Sequence, residues 1–305
     1  MAQVVLLDGG MGQELIHRRG TPPSALWSAA VLADQPELVQ AVHEDFIAAG
    51  AQVIIVNSYA ITRPRLNRNG AGERFEELQR KALNIAKAAV GQNSAVCIAG
   101  GLSPLTGSYQ PGQTLPYEEC LEQYSEIVEM QSPSVDLFIA ETMCTADEAL
   151  AATKAIKAPQ KQAWIAFTVD DKNGRLLRSG ENLREVADRV IEHGADAVLV
   201  NCSSPEATDQ AVSTLSGLAV PYGGYANGFK TVEPLTNSTT VDVLSAREDV
   251  TPVAYARHIM KWVADGATLV GGCCEISPAH IAEIATRLSQ AGHQLVSHSP
   301  RPQKG

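Results

Sequence analysis

The fold class is indicated most clearly by eleven residues, His193-Gly-Ala-Asp-Ala-Val-Leu-Val-Asn-Cys-Ser203. A glycine suited to ending a helix comes first, a short apolar run of strand-forming residues follows, and polar residues stand at its end. The same order recurs in residues 49–59 and 265–275, and in each copy the polar residue that ends the apolar run follows the glycine by seven positions. Such a repeat is typical of one strand–helix unit used several times along a chain.

Eight apolar runs of strand length alternate with amphipathic stretches of helical length, a pattern typical of parallel strands joined by crossover helices. The predicted strands are 4–10, 53–59, 95–103, 135–142, 163–169, 197–203, 221–227 and 268–274. The predicted helices include 36–49, 73–90, 117–131, 146–157, 182–193, 252–264 and 278–290. The sequence therefore predicts an α/β protein of one domain, a (β/α)8 or TIM barrel over residues 1–295, with a disordered tail at 296–305. The competing fold is a doubly wound open sheet, but its glycine-rich phosphate motif after the first strand is missing.

Composition restricts the function further. The 305 residues are 45% hydrophobic and carry a formal net charge of −10. This acidic balance argues against a nucleic-acid partner and mildly favours small cationic ligands. No apolar run is long enough to cross a bilayer, so no membrane association is expected. Six cysteines in a chain of this size do not resemble a disulfide framework, and the cytoplasm is the expected compartment. No helix shows an unusually apolar outer face, and the oligomeric state is left open.

Polar residues end most of the predicted strands. In a (β/α)8 barrel the carboxyl ends of all strands meet at one face, which is the catalytic face. The residues expected to converge there are Asp8, Asn57, Glu141, Asn201, Cys202, Asn227, Cys273 and Cys274. Two long segments, 103–116 and 229–249, are expected to form loops over this face, although their roles are not predicted.

Three cysteines carry the strongest chemical information. Cys273 and Cys274 are adjacent and cannot easily form a disulfide with each other, while the preceding Gly271-Gly272 frees the backbone to bend. Together with Cys202 they would leave one position of a tetrahedral zinc ion open, as a catalytic zinc requires. A thiol substrate suits that open position because the metal lowers the pKa of the thiol. The residues thus indicate an enzyme that acts on sulfur.

Simpler structural roles stay open for some of these residues. Cysteines at strand ends are often small buried apolar residues, as we expect for Cys97, Cys120 and Cys144. In this simpler interpretation, Asp8 caps the helix that follows it. The asparagines at strand ends form hydrogen bonds with backbone groups that the strands leave unpaired.

Motifs along nearly the whole chain strengthen the enzymatic interpretation. They are Asp8-Gly-Gly10 with Met11 and Glu14-Leu15, Leu26-Trp-Ser28, Asn57-Ser-Tyr59, Gly100-Gly101 with Pro104, Glu141-Thr142, Asn201-Cys202, residues 225–228 and Gly271-Gly-Cys-Cys274. With these motifs the sequence resembles the homocysteine S-methyltransferase family. The resemblance implies a (β/α)8 barrel on which Cys202, Cys273 and Cys274 bind a catalytic Zn²⁺. It also implies that the sulfur of L-homocysteine completes the coordination of that ion.

Asp8 and Glu141 are predicted to bind the amino-acid end of the substrate. Two carboxylates facing one cavity repel each other unless a cation lies between them, and an α-ammonium group is such a cation. The resemblance implies the same role for these positions. The amides of Gly9 and Gly10 are expected to form a nest for the α-carboxylate. Asn57, Asn201 and Asn227 are candidates for orienting substrate or ligands.

The expected reaction is transfer of a methyl group from a small cationic donor to the thiolate of L-homocysteine, which forms methionine. S-methylmethionine is the first donor expected, because Leu26-Trp-Ser28 and Asn57-Ser-Tyr59 are similar to that branch of the family. Residues 225–229 depart from the Tyr-Pro-Asn form of that branch, which keeps betaine or another sulfonium as the alternative donor. Aromatic residues are candidates to surround an onium group. They are Trp27, Tyr59, Tyr109, Tyr222 and Tyr225.

Two other functions stay open at this point. One is a zinc methyltransferase module that serves a corrinoid partner protein, which would be active only with that partner. The other is a zinc-binding regulatory barrel without catalysis, which would bind metal and turn over no substrate.

Overall fold

The computed structural model describes residues 1–20, 26, 28–236 and 241–297. The strands are β1 (Gln3–Leu6), β2 (Val53–Ile55), β3 (Cys97–Leu102), β4 (Leu137–Met143), β5 (Gln162–Phe167), β6 (Ala197–Asn201), β7 (Tyr222–Tyr225), β8 (Leu269–Val270) and β9 (Gln294–Leu295). The helices are α1 (Met11–Arg19), α2 (Ser28–Asp34), α3 (Pro36–Ala48), α4 (Arg63–Arg68), α5 (Phe75–Val90), α6 (Tyr117–Gln131), α7 (Ala146–Lys157), α8 (Leu183–Glu192), α9 (Pro205–Leu215), α10 (Pro252–Ala264) and α11 (Pro278–Gln290).

The strands form one parallel sheet in the order β2-β3-β4-β5-β6-β7-β8-β1-β9. The sheet curls until β1 and β2 meet, where Leu7 forms a single parallel bridge with Val53. Two backbone hydrogen bonds accompany that bridge, from Asp8 N to Val53 O at 3.0 Å and from Gln52 N to Leu6 O at 2.6 Å. The protein is therefore a single α/β domain with a curled, TIM-barrel-like sheet, whose seam is one bridge long rather than a full ladder.

Each predicted strand overlaps an observed one, but most of the polar ends lie outside the ladders, with Glu141 in β4 and Asn201 in β6 as exceptions. The predicted strand 53–59 is reduced to β2, for example, and Asn57 lies in the segment that follows it. The ninth strand, β9, was not predicted because a two-residue strand has no detectable periodicity. Helix α9 was also omitted, although Ser204 as N-cap and Pro205 at the first position are ordinary signals for a helix start.

Strand β4 shows how the core is divided into two layers. Successive side chains of a strand point to opposite faces of a sheet. Leu137 and Ile139 pack inside the curl of the sheet, whereas Phe138 and Ala140 pack in the layer between sheet and helices. All four are fully buried, and a buried Leu, Ile or Phe side chain contributes about 1.5–3 kcal/mol. A strand buried on both faces is continuously apolar, as the sequence is here.

The carboxyl end of the chain returns to the start of the sheet. Gln294 pairs with Gln3, and Val296 N donates a hydrogen bond to Val4 O at 3.1 Å. Most of the predicted tail at 296–305 lies outside the described residues, which end at residue 297. Among the helices of the described part, none has the length and apolar character needed to cross a membrane.

Candidate metal centre and active site

Cys202, Cys273 and Cys274 come together at the carboxyl ends of β6 and β8. Their sulfur atoms all lie within 4.8 Å of one another, and the Sγ atoms of Cys202 and Cys274 are 3.9 Å apart. Cys202 follows β6 directly and has a left-handed backbone conformation with φ of 51°. Its amide donates to Tyr225 O at 3.2 Å, which ties the turn after β6 to the end of β7.

Glycines allow the backbone to approach the cysteine pair closely. A side chain at Gly10 would place its Cβ 2.5 Å from the carbonyl oxygen of Cys273, and one at Gly272 would lie 2.2 Å from the side chain of Ile276. The hydroxyl group of Tyr255 links the segments that follow β7 and β8. It accepts a hydrogen bond from Ala226 N at 2.9 Å and donates one to Gly271 O at 2.8 Å. The turn that presents both thiols is thereby held between β7 and β8.

The three thiols fit a tetrahedral, sulfur-preferring metal ion. A zinc–sulfur bond of about 2.3 Å with tetrahedral angles separates two ligand sulfurs by about 3.8 Å. The observed 3.9 Å between Cys202 and Cys274 agrees with that value. Hydrogen bonds from Cys273 and Cys274 hold the pKa of the Cys202 thiol well below its usual range, while the same contacts raise the pKa of the other two thiols. The group thus already stabilises one thiolate, which is the ligand form that a metal requires.

The cysteines open onto a cavity of about 390 Å³. Most of the predicted site residues line it: Asp8, Gly9, Gly10, Asn57, Glu141, Cys202, Cys273 and Cys274. The structure therefore brings together side chains that follow β1, β2, β6 and β8 and one that belongs to β4.

Asp8 and Glu141 are two buried carboxyl groups in this cavity. Asp8 Oδ2 accepts a hydrogen bond from Ile55 N at 2.9 Å, and Glu141 Oε1 accepts from the hydroxyl of Tyr225 at 3.1 Å. Burial raises the pKa of Asp8 to about 8. Burial and the proximity of Asp8 raise the pKa of Glu141 to about 8 as well. A ligand cation between them would favour the ionised form of both groups.

The glycine amides and asparagine side chains of the site differ in whether their hydrogen-bonding groups are free to contact a ligand. Gly10 N donates to Ile276 O at 2.8 Å, so the predicted nest does not have two free amides. Asn57 is buried in the cavity wall, and within the described residues its Nδ2 has no hydrogen-bond partner. Asn201 is engaged with Thr142, because its Oδ1 accepts from the Thr142 amide at 2.8 Å and its Nδ2 donates to the Thr142 hydroxyl at 3.0 Å. Asn57 is thus the asparagine best placed to meet a ligand.

Two predicted residues do not reach the cavity. Asn227 is buried at the turn after β7, where its Oδ1 accepts from Phe229 N at 3.0 Å. Tyr222 lies at the opposite end of β7 from the cysteines, and its hydroxyl donates to Asp265 O at 2.7 Å. Trp27 lies outside the described residues. The Oδ1 of Asn227 thus bonds to the backbone, as in the simpler role considered for the strand-end asparagines, while within the described residues its Nδ2 has no hydrogen-bond partner.

The structure also adds residues that the sequence did not single out. Arg65 of α4 and Ser108 of the 103–116 segment both line the cavity. Arg65 was missed because α4 itself was not predicted, and a cluster of three arginines in residues 63–68 was the available signal. Tyr109 was predicted only as an aromatic surface, whereas its hydroxyl donates to Cys202 Sγ at 3.0 Å.

The two long segments meet above the cysteines. Gln110 of the first segment donates through Nε2 to Leu235 O of the second at 2.6 Å. An apolar cluster fills the space between the segments and the thiols. It consists of Tyr109, Cys202, Phe229, Val232, Leu235 and Cys274. These loops therefore cover the thiol trio on its outer side.

Comparison with known proteins agrees with the geometry. A family model described as homocysteine S-methyltransferase matches residues 5–288. Homocysteine S-methyltransferase of Escherichia coli (strain K12) is 30% identical over 302 residues, which cover 93% of this chain and 95% of the relative. Homocysteine S-methyltransferase YbgG of Bacillus subtilis (strain 168) is 28% identical and covers 92% of this chain and 93% of the relative. The chain therefore belongs to the homocysteine S-methyltransferase family and is an enzyme of the methyltransferase class.

A solved relative supports the fold. The metallated form of the homocysteine methyltransferase MmuM from Escherichia coli superimposes with a TM-score of 0.76 at 28% identity. The match covers 93% of this chain and 96% of the MmuM chain.

Proposed function

We propose that this enzyme transfers a methyl group from a small onium compound to the thiolate of L-homocysteine and so forms methionine. S-methylmethionine is the first donor proposed, and betaine or another sulfonium is the alternative. One observation carries the proposal: the thiol trio Cys202, Cys273 and Cys274 lies in the same cavity as the buried carboxyl pair Asp8 and Glu141. The trio suits a metal-bound thiol, and the pair suits an amino-acid ammonium group.

Zinc is the metal that we propose for the cysteine trio. A set of three thiolates with a 3.9 Å sulfur–sulfur separation suits Zn²⁺ and leaves a fourth position for a substrate. When bound, the ion supplies Lewis acidity that keeps the sulfur of homocysteine as a thiolate at neutral pH. Within the described residues, Cys202, Cys273 and Cys274 form no disulfide. A reducing compartment such as the cytoplasm keeps the three thiols available for the metal.

The carboxyl pair fixes the other end of homocysteine. Asp8 is held by Ile55 N and Glu141 by Tyr225, so neither side chain needs to reorganise when the ammonium group arrives. The buried Nδ2 of Asn57 offers a donor to the α-carboxylate. Holding the amino acid at both ends positions its sulfur for attack in a defined direction.

The transfer step needs no side-chain base. The sulfur lone pair forms the new carbon–sulfur bond, and the bond between the methyl carbon and the donor's onium atom breaks. Its electron pair stays on the onium atom, which becomes neutral. Because donor charge disappears, a cavity that excludes water favours the transition state over the charged ground state. The aromatic rings of Tyr59, Tyr109 and Tyr225 line the cavity and suit a methylated cation.

We further propose that residues 1–295 act as a closed (β/α)8 barrel with the Leu7–Val53 bridge as its seam. The bridge and its two flanking hydrogen bonds support this interpretation. Asp8 follows the seam by one residue. Closure would therefore set the distance between Asp8 and the cysteines.

A donor panel tests the proposed reaction. Zinc-loaded protein is incubated with L-homocysteine and S-methylmethionine, betaine or dimethylsulfoniopropionate, and methionine is quantified. We expect turnover with S-methylmethionine and less or none with betaine. Turnover with betaine alone would select the alternative donor. No turnover with any onium compound would reject the proposal, and activity that requires an added methyl-corrinoid protein would establish the alternative function.

A further inference from the structure

Strand β4 is irregular at the point where it presents Glu141 to the cavity. Between Ala140 and Met143 the strand advances by three residues, while the paired stretch of β5 advances by two. Strand β4 therefore contains one extra residue there, which is a β-bulge. The packing shows the same step, because Ala140 and Met143 lie in one layer although an odd number of positions separates them. A bulge beside a functional group redirects the side chains around it.

Thr142 is the strained residue of this bulge. Its φ is 61°, in the left-handed region that favours glycine. A β-branched residue is an outlier in that region, because its Cβ lies too close to the neighbouring carbonyl oxygen. Thr142 is also fully buried, so its amide and hydroxyl need hydrogen-bond partners inside the protein. A backbone conformation of this kind persists only where the surrounding contacts enforce it.

Asn201 supplies both partners. Its Oδ1 accepts from the Thr142 amide at 2.8 Å, and its Nδ2 donates to the Thr142 hydroxyl at 3.0 Å. Asn201 belongs to β6, and β5 lies between β6 and β4 in the sheet, so these bonds join two strands that are not neighbours. Both residues are fully buried, and in the described part of the chain neither lines the cavity. Asn201 thus holds the bulge without a place in the cavity wall.

The strand register connects this contact to both ends of the proposed site. Asn201 pairs with Tyr225 in the ladder of β6 and β7, and the Tyr225 hydroxyl donates to Glu141 Oε1 at 3.1 Å. One residue of the pair therefore holds the backbone that follows Glu141, and the other holds its carboxylate. Cys202 comes directly after Asn201, so the turn that places one thiol of the trio begins at the residue that holds the bulge.

We propose that Asn201 is a positioning residue that holds the Thr142 bulge and thereby sets the place of the Glu141 carboxylate relative to the thiol trio. The inference rests on the proposed function and deepens it, because that separation selects an acceptor with a matching distance between its ammonium group and its sulfur. Asn201 contacts neither substrate nor metal in this role. When the bulge is freed, the carboxylate moves and the ammonium group is bound less well, while the sulfur can still reach the metal.

Kinetics of Asn201→Ala test this role. We expect KM for homocysteine to rise roughly tenfold, the value of one lost hydrogen bond to a charged group. Both kcat and the zinc content should stay near the wild-type level. Thr142→Val keeps the shape of the side chain and the bonded amide but removes the hydroxyl, so KM should rise less. In a Glu141→Gln background, Asn201→Ala should change KM by less than about twofold, because the charge that Asn201 positions is gone.

Melting temperatures test the contact without any substrate. Thr142→Gly removes the strain but also the hydroxyl that Asn201 binds, so it should lower the melting temperature of the wild type. In Asn201→Ala that bond is already lost, and Thr142→Gly should raise the melting temperature by relief of strain. Asn182→Ala is the matched control, since Asn182 accepts from the amides of Arg184 and Glu185 outside the cavity. It should lower the melting temperature without raising KM.

Three results would overturn the inference. One is an equal rise of KM from Asn201→Ala with and without Glu141→Gln, which would show that Asn201 does not act through Glu141. Another is loss of zinc in Asn201→Ala, which would assign Asn201 to the thiol trio alone. The third is an equal change of melting temperature from Thr142→Gly in both backgrounds. If the wild type neither binds nor methylates homocysteine, the proposed function fails, and the sign of the Thr142→Gly effect still decides whether Asn201 holds the bulge.

Discussion

The sulfur atoms of Cys202 and Cys274 lie 3.9 Å apart although 72 positions separate the two residues in the chain. Each follows a different strand, and the two strands are joined only through β7 between them. The separation is that of two ligands on one tetrahedral ion, so the sheet positions the thiols before any metal arrives. The grouping of the three thiols is therefore a product of strand order, and the proposed metal ligands can be tested one at a time.

Replacement of one ligand should remove the metal. In Cys273→Ser we expect the zinc content to fall from about one ion per chain to a small fraction, since an alcohol is a far poorer zinc ligand than a thiolate. Elemental analysis measures the content directly. Cys120→Ser is the matched control, because Cys120 is buried, donates to Leu115 O and takes no part in the trio. Full zinc occupancy in Cys273→Ser would contradict the assignment.

The Tyr109 hydroxyl should support metal binding without touching the metal. Its hydrogen bond to Cys202 Sγ stabilises the thiolate, so Tyr109→Phe should raise the pKa of that thiol. We expect the zinc affinity to fall roughly tenfold, as is common when a partner of a ligand is removed. Competition with a chelator measures the affinity. An affinity equal to that of the wild type would show that the hydroxyl contributes only packing.

Asp8 should govern the affinity for homocysteine. Asp8→Asn keeps an acceptor for Ile55 N but removes the charge that attracts the ammonium group. We expect KM for homocysteine to rise roughly 10- to 100-fold, while the zinc content stays at the wild-type level. Steady-state kinetics with saturating donor measures this change. If instead kcat falls and KM stays constant, Asp8 acts in the transfer step rather than in binding.

The carboxyl pair should make the ligand-free enzyme less stable as pH rises. The pKa of Asp8 is raised from 3.8 to about 8, so the folded state holds a proton that the unfolded state has lost over that interval. The free energy of unfolding should therefore decrease from pH 4 towards pH 8. Asp8→Asn cannot ionise, and its melting temperature relative to the wild type should rise between pH 5.5 and pH 8. A difference that does not depend on pH would contradict the raised pKa.

Gly10 should tolerate no side chain. A Cβ there would lie 2.5 Å from the carbonyl oxygen of Cys273, so Gly10→Ala has to displace the turn that carries both thiols. We expect a loss of about 1–3 kcal/mol in stability together with weaker zinc binding. Denaturant unfolding measures the first quantity. Gly112→Ala is the matched control, since nothing lies within 4 Å of a Cβ at that position, and comparable losses in the two variants would refute the steric argument.

Most of the fold and the convergence of the three thiols could be predicted from the sequence. The seven-residue spacing from glycine to strand end places Asn57, Asn201 and Cys273 at equivalent ends of parallel strands, and two of these ends carry the thiol trio. Strand ends are predictable because a buried strand is short, apolar and directly followed by polar residues. The prediction was less accurate where chemistry lies on loops. Asn227 shares the strand-end pattern, but its Oδ1 accepts a hydrogen bond from Phe229 N in the turn after β7.

The sequence by itself determined the layer architecture, the three thiols and the carboxyl pair, because hydrophobic periodicity and residue chemistry are local properties. Only the tertiary structure decided which polar groups share the cavity. Arg65 lies on an unpredicted helix and Ser108 on a long loop, and no local pattern relates them to Cys202. Their placement depends on the curl of the sheet and on how the two loops pack above it, so it arises from contacts between segments that are distant in the chain.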